Sequence, residues 1–124
     1  LAEDNDLNAE IAAVILERAG LKVERVEDGL QCISRITEMP AGTYDIILMD
    51  IQMPKMDGYK ATQTIRNLSD QEKACIPIIA MTANAFEEDK RAAIAAGMNG
   101  HIAKPIQVDK LLSILAEMIR QQEN

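Results

Sequence analysis

The feature that most constrains this chain is the regular alternation of helix-like and strand-like segments along its 124 residues. Apolar residues recur at helical spacing in five stretches, which are residues 7–20, 30–39, 59–68, 86–96 and 108–124. Between them, short apolar or alternating segments predict strands at 22–26, 44–50, 76–81 and 100–103. Strands that alternate with helices build a parallel sheet with helices on both faces. Because the chain has the length of one domain, we expect a single α/β domain over residues 1–124.

The opening of the chain departs from this pattern. A doubly wound sheet needs a strand before the first helix, whereas only Leu1 and Ala2 precede the acidic pair Glu3 and Asp4. A typical strand has about five or six residues. We therefore expect a truncated first strand and further residues before Leu1 in the natural protein. Loss of that strand would expose two sheet edges, so a rearranged sheet or strand exchange within a homo-oligomer is a further hypothesis.

Composition narrows the range of partners. The chain has 13 basic and 20 acidic residues, a net charge of −7, without a basic run that could bind nucleic acid or an anionic membrane. No apolar stretch is long enough to cross a membrane, and no signal peptide opens the chain. Cys32 and Cys75 lie far apart and lack metal-ligand spacing. These features predict reduced thiols and a cytoplasmic location, including the cytoplasmic part of a membrane-anchored protein.

Polar residues follow four of the predicted strands at their carboxyl ends. Glu3 and Asp4 follow the truncated first strand, Asp50 the third, Thr82 the fourth and Lys104 the fifth. Each alone has a structural explanation, such as an acid near a helix N-terminus, a helix cap or a solvated charge. In open α/β sheets, however, ligands bind outside the carboxyl ends of the strands. We therefore expect these five side chains to form one site.

The chemistry of such a cluster favours phosphoryl transfer. Three carboxylates in one pocket repel one another unless a cation joins them. Mg²⁺ suits a site with few protein ligands and phosphate oxygens, and Mn²⁺ is an alternative. An aspartate beside the metal can attack phosphorus and form an aspartyl phosphate, which makes Asp50 the candidate acceptor. The Lys104 ammonium and the Thr82 hydroxyl can then bind the transferred phosphoryl group.

Five motifs in order carry a family resemblance. They lie at residues 3–5 (EDN), 45–50 (DIILMD), 53–58 (MPKMDG), 79–83 (IAMTA) and 103–105 (AKP). With them the chain resembles, almost end to end, the receiver domains of two-component response regulators. The resemblance implies a flavodoxin-like fold with strand order 2-1-3-4-5. It also implies that Asp50 is phosphorylated and that Mg²⁺ is held by Glu3, Asp4, Asp50 and the backbone carbonyl of Gln52.

The resemblance assigns roles to further residues. Thr82 and Lys104 would bind phosphoryl oxygens, and the Lys104–Pro105 peptide bond would be cis, a form otherwise rare in proteins. Gly58 would let the loop after Asp50 turn sharply.

Positions that tune the switch are also implied. Gln52 and Asn84 would flank the water that removes the phosphoryl group. The second switch residue of the family is usually aromatic, whereas here it is His101. We hypothesise that His101 still moves inward when Thr82 is drawn to the phosphoryl group, although an ordinary half-buried histidine is the equal alternative.

The detailed sequence suggests a type of receiver. Residues 79–86 and 97–106 look most like receivers attached to hybrid sensor histidine kinases. The implied partner is a histidine-bearing dimerisation or phosphotransfer domain, which would contact the pocket and the first helix. Two alternatives are a stand-alone regulator and a receiver-like interaction module that is never phosphorylated. A haloacid dehalogenase-type phosphatase would need a second aspartate where Gln52 stands, and a flavodoxin would need aromatic residues around a flavin.

Overall fold

Three parallel strands form the centre of the sheet. In the computed structural model, which describes residues 1–82, 87–104 and 106–122, these strands are β1 (Ile47–Asp50), β2 (Ile78–Thr82) and β3 (Gly100–Ala103). β2 lies between the other two, with Ile47 opposite Ile78 and Thr82 opposite Ala103. Every residue of β1 and β2 is buried, as expected for parallel strands covered on both faces.

The first three residues occupy the position predicted for the truncated first strand. Ala2 forms parallel bridges to Val26 on one side and to Met49 of β1 on the other. Its N–H donates to the Leu48 carbonyl at 2.8 Å, and its carbonyl accepts from the Asp50 N–H at 2.9 Å. The order of segments across the sheet is therefore Val26, Ala2, β1, β2, β3, which confirms the predicted 2-1-3-4-5 arrangement with a truncated first strand.

The strand predicted at residues 22–26 is wrong in extent. Only Val26 makes a bridge, and residues 21–25 have no regular structure. The neighbouring position holds just Leu1 to Glu3, so a longer strand would have no partner there. Extended backbone without a partner cannot form a ladder of hydrogen bonds.

Within the described ranges, the helices are α1 (Asp6–Arg18), α2 (Gly29–Glu38), α3 (Gly58–Arg66), α4 (Gln71–Ala74), α5 (Glu87–Ala96) and α6 (Val108–Gln122). Each of the first four begins after an Asn or Asp whose side chain accepts a backbone N–H of the first turn; these caps are Asn5, Asp28, Asp57 and Asp70. Asp28 caps α2, and Gly29 is the first residue of that helix. The short helix α4 was not predicted.

Two aliphatic clusters fill the faces of the sheet. One contains Cys32 and Ile36 of α2 together with Ile65 of α3 and Ala93 of α5. The other contains residues of α1 and α6 packed on the opposite face, namely Leu16, Leu111, Leu115 and Met118. Helices therefore cover both faces, as the doubly wound prediction required.

Two further predictions from the sequence concern the cysteines and membrane-spanning segments. Cys32 is a buried free thiol in the first cluster, and Cys75 is an exposed free thiol. Of the helices in residues 1–82, 87–104 and 106–122, none combines the length and apolar character required to span a bilayer.

Candidate functional site

A cavity of about 290 Å³ lies at the carboxyl ends of the strands. Its lining includes all six described residues for which the sequence predicted a direct role, which are Glu3, Asp4, Asp50, Gln52, Thr82 and Lys104. The structure therefore brings together side chains that are up to 101 residues apart in the chain. Parallel strands explain this convergence, because their carboxyl ends meet at one edge of the sheet.

Lys104 lies between two buried carboxylates. Its Nζ is 2.9 Å from Asp50 Oδ2 and 3.0 Å from Glu3 Oε1. Glu3 is only 1% exposed and Asp50 only 5%, so both acids have lost most of their contact with water. A buried carboxylate needs a charged partner or strong hydrogen bonds, and the single ammonium of Lys104 serves both acids.

Burial and the close contacts among Glu3, Asp50 and Lys104 shift the pKa values of Glu3 and Lys104. Burial, with the added effect of the neighbouring Asp50, raises the pKa of Glu3 from 4.5 to about 7. Burial by itself would lower the pKa of Lys104, but its bonds to Asp50 and Glu3 outweigh that effect and leave the pKa raised. The lysine therefore stays charged, and Glu3 is the group whose charge is most strongly opposed.

The carboxylates fit a hard divalent cation. Glu3, Asp4 and Asp50 each offer one oxygen, and these oxygens lie within 4.8 Å of one another. Asp4 is exposed and closes the outer side of the group, whereas the other two acids are buried. Oxygen donors from a few carboxylates are the ligands that Mg²⁺ takes in proteins while it keeps several waters.

Thr82 ends β2 at the wall of the same cavity. Its side-chain oxygen is the one buried side-chain polar atom in the described residues that lacks a hydrogen-bond partner. The main chain around it is well fixed, since the Thr82 carbonyl accepts from the Lys104 N–H at 2.7 Å. Such an unpartnered hydroxyl is unusual, because burial of a polar group without a hydrogen bond is unfavourable.

The loop after β1 passes closely over the end of the strand. The Gly58 N–H donates to the Ile51 carbonyl at 2.8 Å, and a Cβ on Gly58 would lie 2.5 Å from the Asp50 carbonyl oxygen. The residue of this loop with a left-handed backbone is Lys55, with φ of 66°, whereas Gly58 is not among the residues with positive φ. Gly58 is thus required for close approach of two backbone segments, which differs from the sharp turn predicted from the sequence.

The same loop is held on its outer side by the start of α2. Lys55 Nζ lies 3.7 Å from Oδ2 of the buried Asp28. A Cβ on Gly29 would lie 2.6 Å from the Met56 carbonyl oxygen. Nothing in the spacing of Asp28 and Gly29 indicated contact with a loop almost 30 residues further along the chain.

Three predicted tuning and structural residues remain, of which the structure describes His101. His101 is half-buried on β3 and lines a separate cavity of about 450 Å³, together with Lys90 and Asp109. Asn84 and Pro105 lie outside the described residues, so their predicted roles stay predictions. Asn8 of α1 and Asp89 of α5 also line the functional cavity, although the sequence analysis did not single them out.

The comparisons with known proteins identify the family of this chain. The family model described as "Response regulator receiver domain" matches residues 1–116. The peroxide stress-activated histidine kinase mak1 of Schizosaccharomyces pombe is 37% identical over 96% of this chain. The signal transduction histidine-protein kinase BarA of Escherichia coli K12 is 39% identical over 91% of this chain. The chain spans only 7% and 12% of the lengths of these two relatives.

Solved structures give the same result. The chain is similar to the receiver domain of the sensor histidine kinase PA1611 from Pseudomonas aeruginosa PAO1, with 38% identity, a TM-score of 0.84 and coverage of 95% of this chain and 93% of that one. It also matches part of full-length ShkA in complex with AMPPNP, with 39% identity, a TM-score of 0.78 and coverage of 95% of this chain and 23% of that one. The chain therefore belongs to the response regulator receiver domain family.

Proposed function

We propose that this chain is the phosphoryl-accepting switch of a phosphorelay, that Asp50 is its acceptor, and that it forms part of a hybrid sensor histidine kinase. The observation that carries the proposal is the position of Asp50 itself. It is a buried carboxylate at the end of a central strand, paired with Lys104 at 2.9 Å in a cavity that also contains Glu3 and Asp4. Burial and a positioned cation are what a carboxylate nucleophile for phosphorus requires.

The reaction transfers a phosphoryl group from a histidine nitrogen of a partner domain to an Asp50 carboxylate oxygen. An O–P bond forms as the P–N bond breaks, and the imidazole nitrogen keeps the electron pair of the broken bond and takes up a proton. Lys104 holds the Asp50 carboxylate in place before transfer and binds a phosphoryl oxygen afterwards. The unpartnered Thr82 hydroxyl has a hydrogen bond to donate to another phosphoryl oxygen.

Glu3, Asp4, Asp50 and the backbone carbonyl of Gln52 are the residues that would hold Mg²⁺, or Mn²⁺ in its place. The similar PA1611 receiver has a magnesium ion coordinated in its active site cleft. When bound, the ion supplies positive charge to the phosphoryl oxygens as negative charge develops on them. Glu3 stands at the bottom of the group with almost no exposure, and Asp4 stands at the solvent side.

The switch and its lifetime involve residues around this centre. Movement of the Thr82 hydroxyl towards the phosphoryl group would leave space for His101 to move inward from β3. Gln52 and Asn84 would flank the water that hydrolyses the aspartyl phosphate. These roles follow from the family resemblance, and the half-buried position of His101 on the neighbouring strand is compatible with such a movement.

The partner would be a histidine-bearing dimerisation or phosphotransfer domain. Support comes from α1, which starts beside the cavity and exposes Leu7 by 65%, Ile11 by 46% and Val14 by 43%. These residues follow one another at helical spacing and form an apolar stripe on which a partner helix can pack. Both relatives named above are histidine kinases far longer than this chain, which supports the hybrid-kinase origin and a location on the cytoplasmic side.

The test is phosphorylation of purified protein by acetyl phosphate with and without Mg²⁺, read by intact mass. We expect a Mg²⁺-dependent phosphoryl adduct on the native chain and none on Asp50→Asn. Asp45→Asn is a matched control, because Asp45 is exposed at the other end of the same segment and does not line the site cavity. An adduct that persists in Asp50→Asn would contradict the assignment of the acceptor.

A second arm separates the alternative functions. Transfer from a phosphorylated histidine phosphotransfer domain to Asp50 would support the hybrid-kinase role. Phosphorylation by a separate sensor kinase alone would favour a stand-alone regulator. A protein that binds its partner equally well with Asp50→Asn and never accepts a phosphoryl group would be an interaction module.

A further inference from the structure

Arg25 binds the turn formed by residues 3–6 from outside the cavity. Its Nε and Nη2 donate to the Glu3 carbonyl oxygen at 3.0 and 2.9 Å, and its Nη1 donates to Asp6 Oδ1 at 2.8 Å. The guanidinium therefore joins the residue before Asp4 to the first residue of α1. Arg25 does not line the functional cavity, and its own side chain is 27% exposed.

The contacts fix the turn that carries two of the three carboxylates. The Glu3 N–H donates to the Val26 carbonyl at 3.0 Å, so both polar groups of the Glu3 backbone are bound by the segment that contains Arg25 and Val26. The Asp6 contact then restrains the far side of the turn. Asp4 lies between these two fixed points, and its exposed carboxylate must be placed by the backbone that carries it.

A planar guanidinium is suited to this task. Three of its N–H donors reach two acceptors in different directions from one rigid plane, which a lysine ammonium on a flexible stem does not reproduce. This role could not be recognised from the sequence, because Arg25 and Glu3 are 22 residues apart.

We propose that Arg25 is a positioning residue for the cation site: it holds the Glu3–Asp6 turn so that the carboxylates of Glu3, Asp4 and Asp50 converge. This inference rests on the proposed function, since it assumes that Mg²⁺ binds there. Residues that orient metal ligands without touching the metal often change affinity strongly when they are replaced.

The charge of Arg25 and its hydrogen bonds to the turn predict opposite changes in Mg²⁺ affinity when Arg25 is replaced, which makes the inference testable. A positive charge near the three acids repels a cation, so its removal by charge alone would strengthen Mg²⁺ binding. Loss of the hydrogen bonds from Arg25 to Glu3 and Asp6 would weaken Mg²⁺ binding. A substitution that removes both the charge and these hydrogen bonds shows directly which of them has the larger effect on Mg²⁺ affinity.

The experiment is calorimetric titration of the metal-free full chain with MgCl₂, for native protein and for Arg25→Gln, Arg25→Lys and Arg18→Gln. We expect the first two variants to bind Mg²⁺ about 10-fold more weakly than native protein. Arg25→Lys keeps the charge and loses the planar fork. Arg18→Gln removes the same charge from the exposed end of α1, and its affinity should equal that of native protein.

A readout on the turn separates positioning from a general loss of stability. Amide hydrogen exchange at Asp4 and Asn5 should accelerate in both Arg25 variants, and urea unfolding is measured in parallel. Arg25 variants that unfold more easily yet bind Mg²⁺ with native affinity would overturn the proposal, as would tighter binding by Arg25→Gln. If native protein itself binds no Mg²⁺, the proposed cation site is wrong, and the inference falls with it.

Discussion

At the scale of single residues, the site places more negative charge in the cavity than one lysine neutralises. Glu3 and Asp50 are buried and share the Lys104 ammonium, while Asp4 adds a third carboxylate at the rim. Burial is the main cause of the raised pKa of Glu3, and the neighbouring Asp50 adds to it. In the absence of a divalent cation, the charged form of Glu3 is therefore unfavourable to the folded state.

The first prediction concerns pH and stability without metal. Because the pKa of Glu3 rises from 4.5 to about 7 on folding, the folded chain binds this proton more tightly than the unfolded chain. As the pH rises from 4.5 through about 7, the free energy of unfolding therefore falls by about 2 kcal/mol because of Glu3. We expect Glu3→Gln to be less sensitive than native protein when urea unfolding is compared at pH 5 and pH 8 in EDTA.

Glu10→Gln is the matched control for that comparison, because Glu10 is exposed on α1. It should show the same loss of stability between the two pH values as native protein. Saturating Mg²⁺ should offset the loss at pH 8 in native protein. An equal pH dependence in Glu3→Gln and native protein would mean that another group is responsible.

The second prediction concerns the Thr82 hydroxyl. A buried hydroxyl without a partner destabilises the unphosphorylated state, so Thr82→Val should leave the unfolding free energy unchanged or raise it by about 1 kcal/mol. The same substitution should slow phosphorylation by acetyl phosphate, measured by intact mass over time. Thr62→Val is the control, because Thr62 is equally buried but its hydroxyl faces the Met49 sulfur at 3.9 Å. Slower phosphorylation in both variants would remove the special role of Thr82.

The sequence predicted which candidate side chains meet in one cavity, but not which residues hold them in place. Acids, a hydroxyl and a lysine at the ends of successive strands could be recognised one strand at a time, because the parallel sheet dictates where strand ends meet. Arg25 and Lys55 could not be recognised in this way. Their partners are set by the path of long side chains across the fold, which spacing along the chain does not reveal.

At the scale of elements, the loop from β1 to α3 is controlled by close backbone contacts. It is confined between the end of β1, where Gly58 approaches the Asp50 carbonyl, and the start of α2, where Gly29 approaches the Met56 carbonyl. Both glycines are the first residues of helices, where alanine would favour helix formation. Contact with neighbouring backbone is therefore the reason for glycine at these two positions.

The third prediction is that Gly58→Ala destabilises the fold by about 2 kcal/mol, because the new Cβ would meet backbone atoms that cannot move aside. It should also lower the rate of phosphorylation, since the displaced backbone belongs to Asp50 and Ile51. Gly100→Ala is the control, because the nearest atom to its Cβ would be the flexible end of Met118 at 3.6 Å. Urea unfolding and acetyl phosphate kinetics measure the two effects. Native behaviour of Gly58→Ala would show that the loop is free to shift.

A second set of elements is joined at the opposite end of the sheet by Arg66. Its guanidinium donates to the carbonyls of Ala74, Ile76 and Gly97 and to the Asn99 side chain, at 2.6 to 2.8 Å. This one side chain connects the end of α3 with the segments around α4 and between α5 and β3. The sequence predicted the helix that carries it but not α4, whose four residues are too few for a periodic pattern.

At the scale of the whole molecule, the order of the sheet and the truncation of its first strand could be predicted, but the extent of the second strand could not. Alternation of patterns fixes a doubly wound arrangement, and the resemblance supplies the strand order. The extent of a strand depends on the neighbour with which it pairs, so residues 22–26 lost most of their predicted strand when the neighbouring position held only three residues. Strand exchange between chains stays a prediction, although Leu1 to Glu3 occupy that position within one chain.

Residues 1–3 also cover one side of the hydrophobic core. Ala2 is fully buried and belongs to the same cluster as Val26 and Cys32. Burial raises the pKa of the Cys32 thiol to about 11, so the reactive thiolate is scarce while the N-terminal segment stays in place. Alkylation of Cys32 therefore requires an opening of the structure, whereas Cys75 is exposed and needs none.

The last prediction links this opening to the site. Because Glu3 and Asp4 continue directly from Ala2, Mg²⁺ bound to their carboxylates should hold the segment in place and slow alkylation of Cys32. We expect iodoacetamide at pH 8 to label Cys75 quickly and Cys32 slowly, with added Mg²⁺ reducing only the Cys32 rate by roughly 10-fold or more. Peptide mass spectrometry of native protein and of Asp4→Asn measures both rates. Equal rates at the two cysteines would mean that Leu1 to Glu3 do not close the core, and a Mg²⁺ effect that survives Asp4→Asn would place the stabilising ion elsewhere.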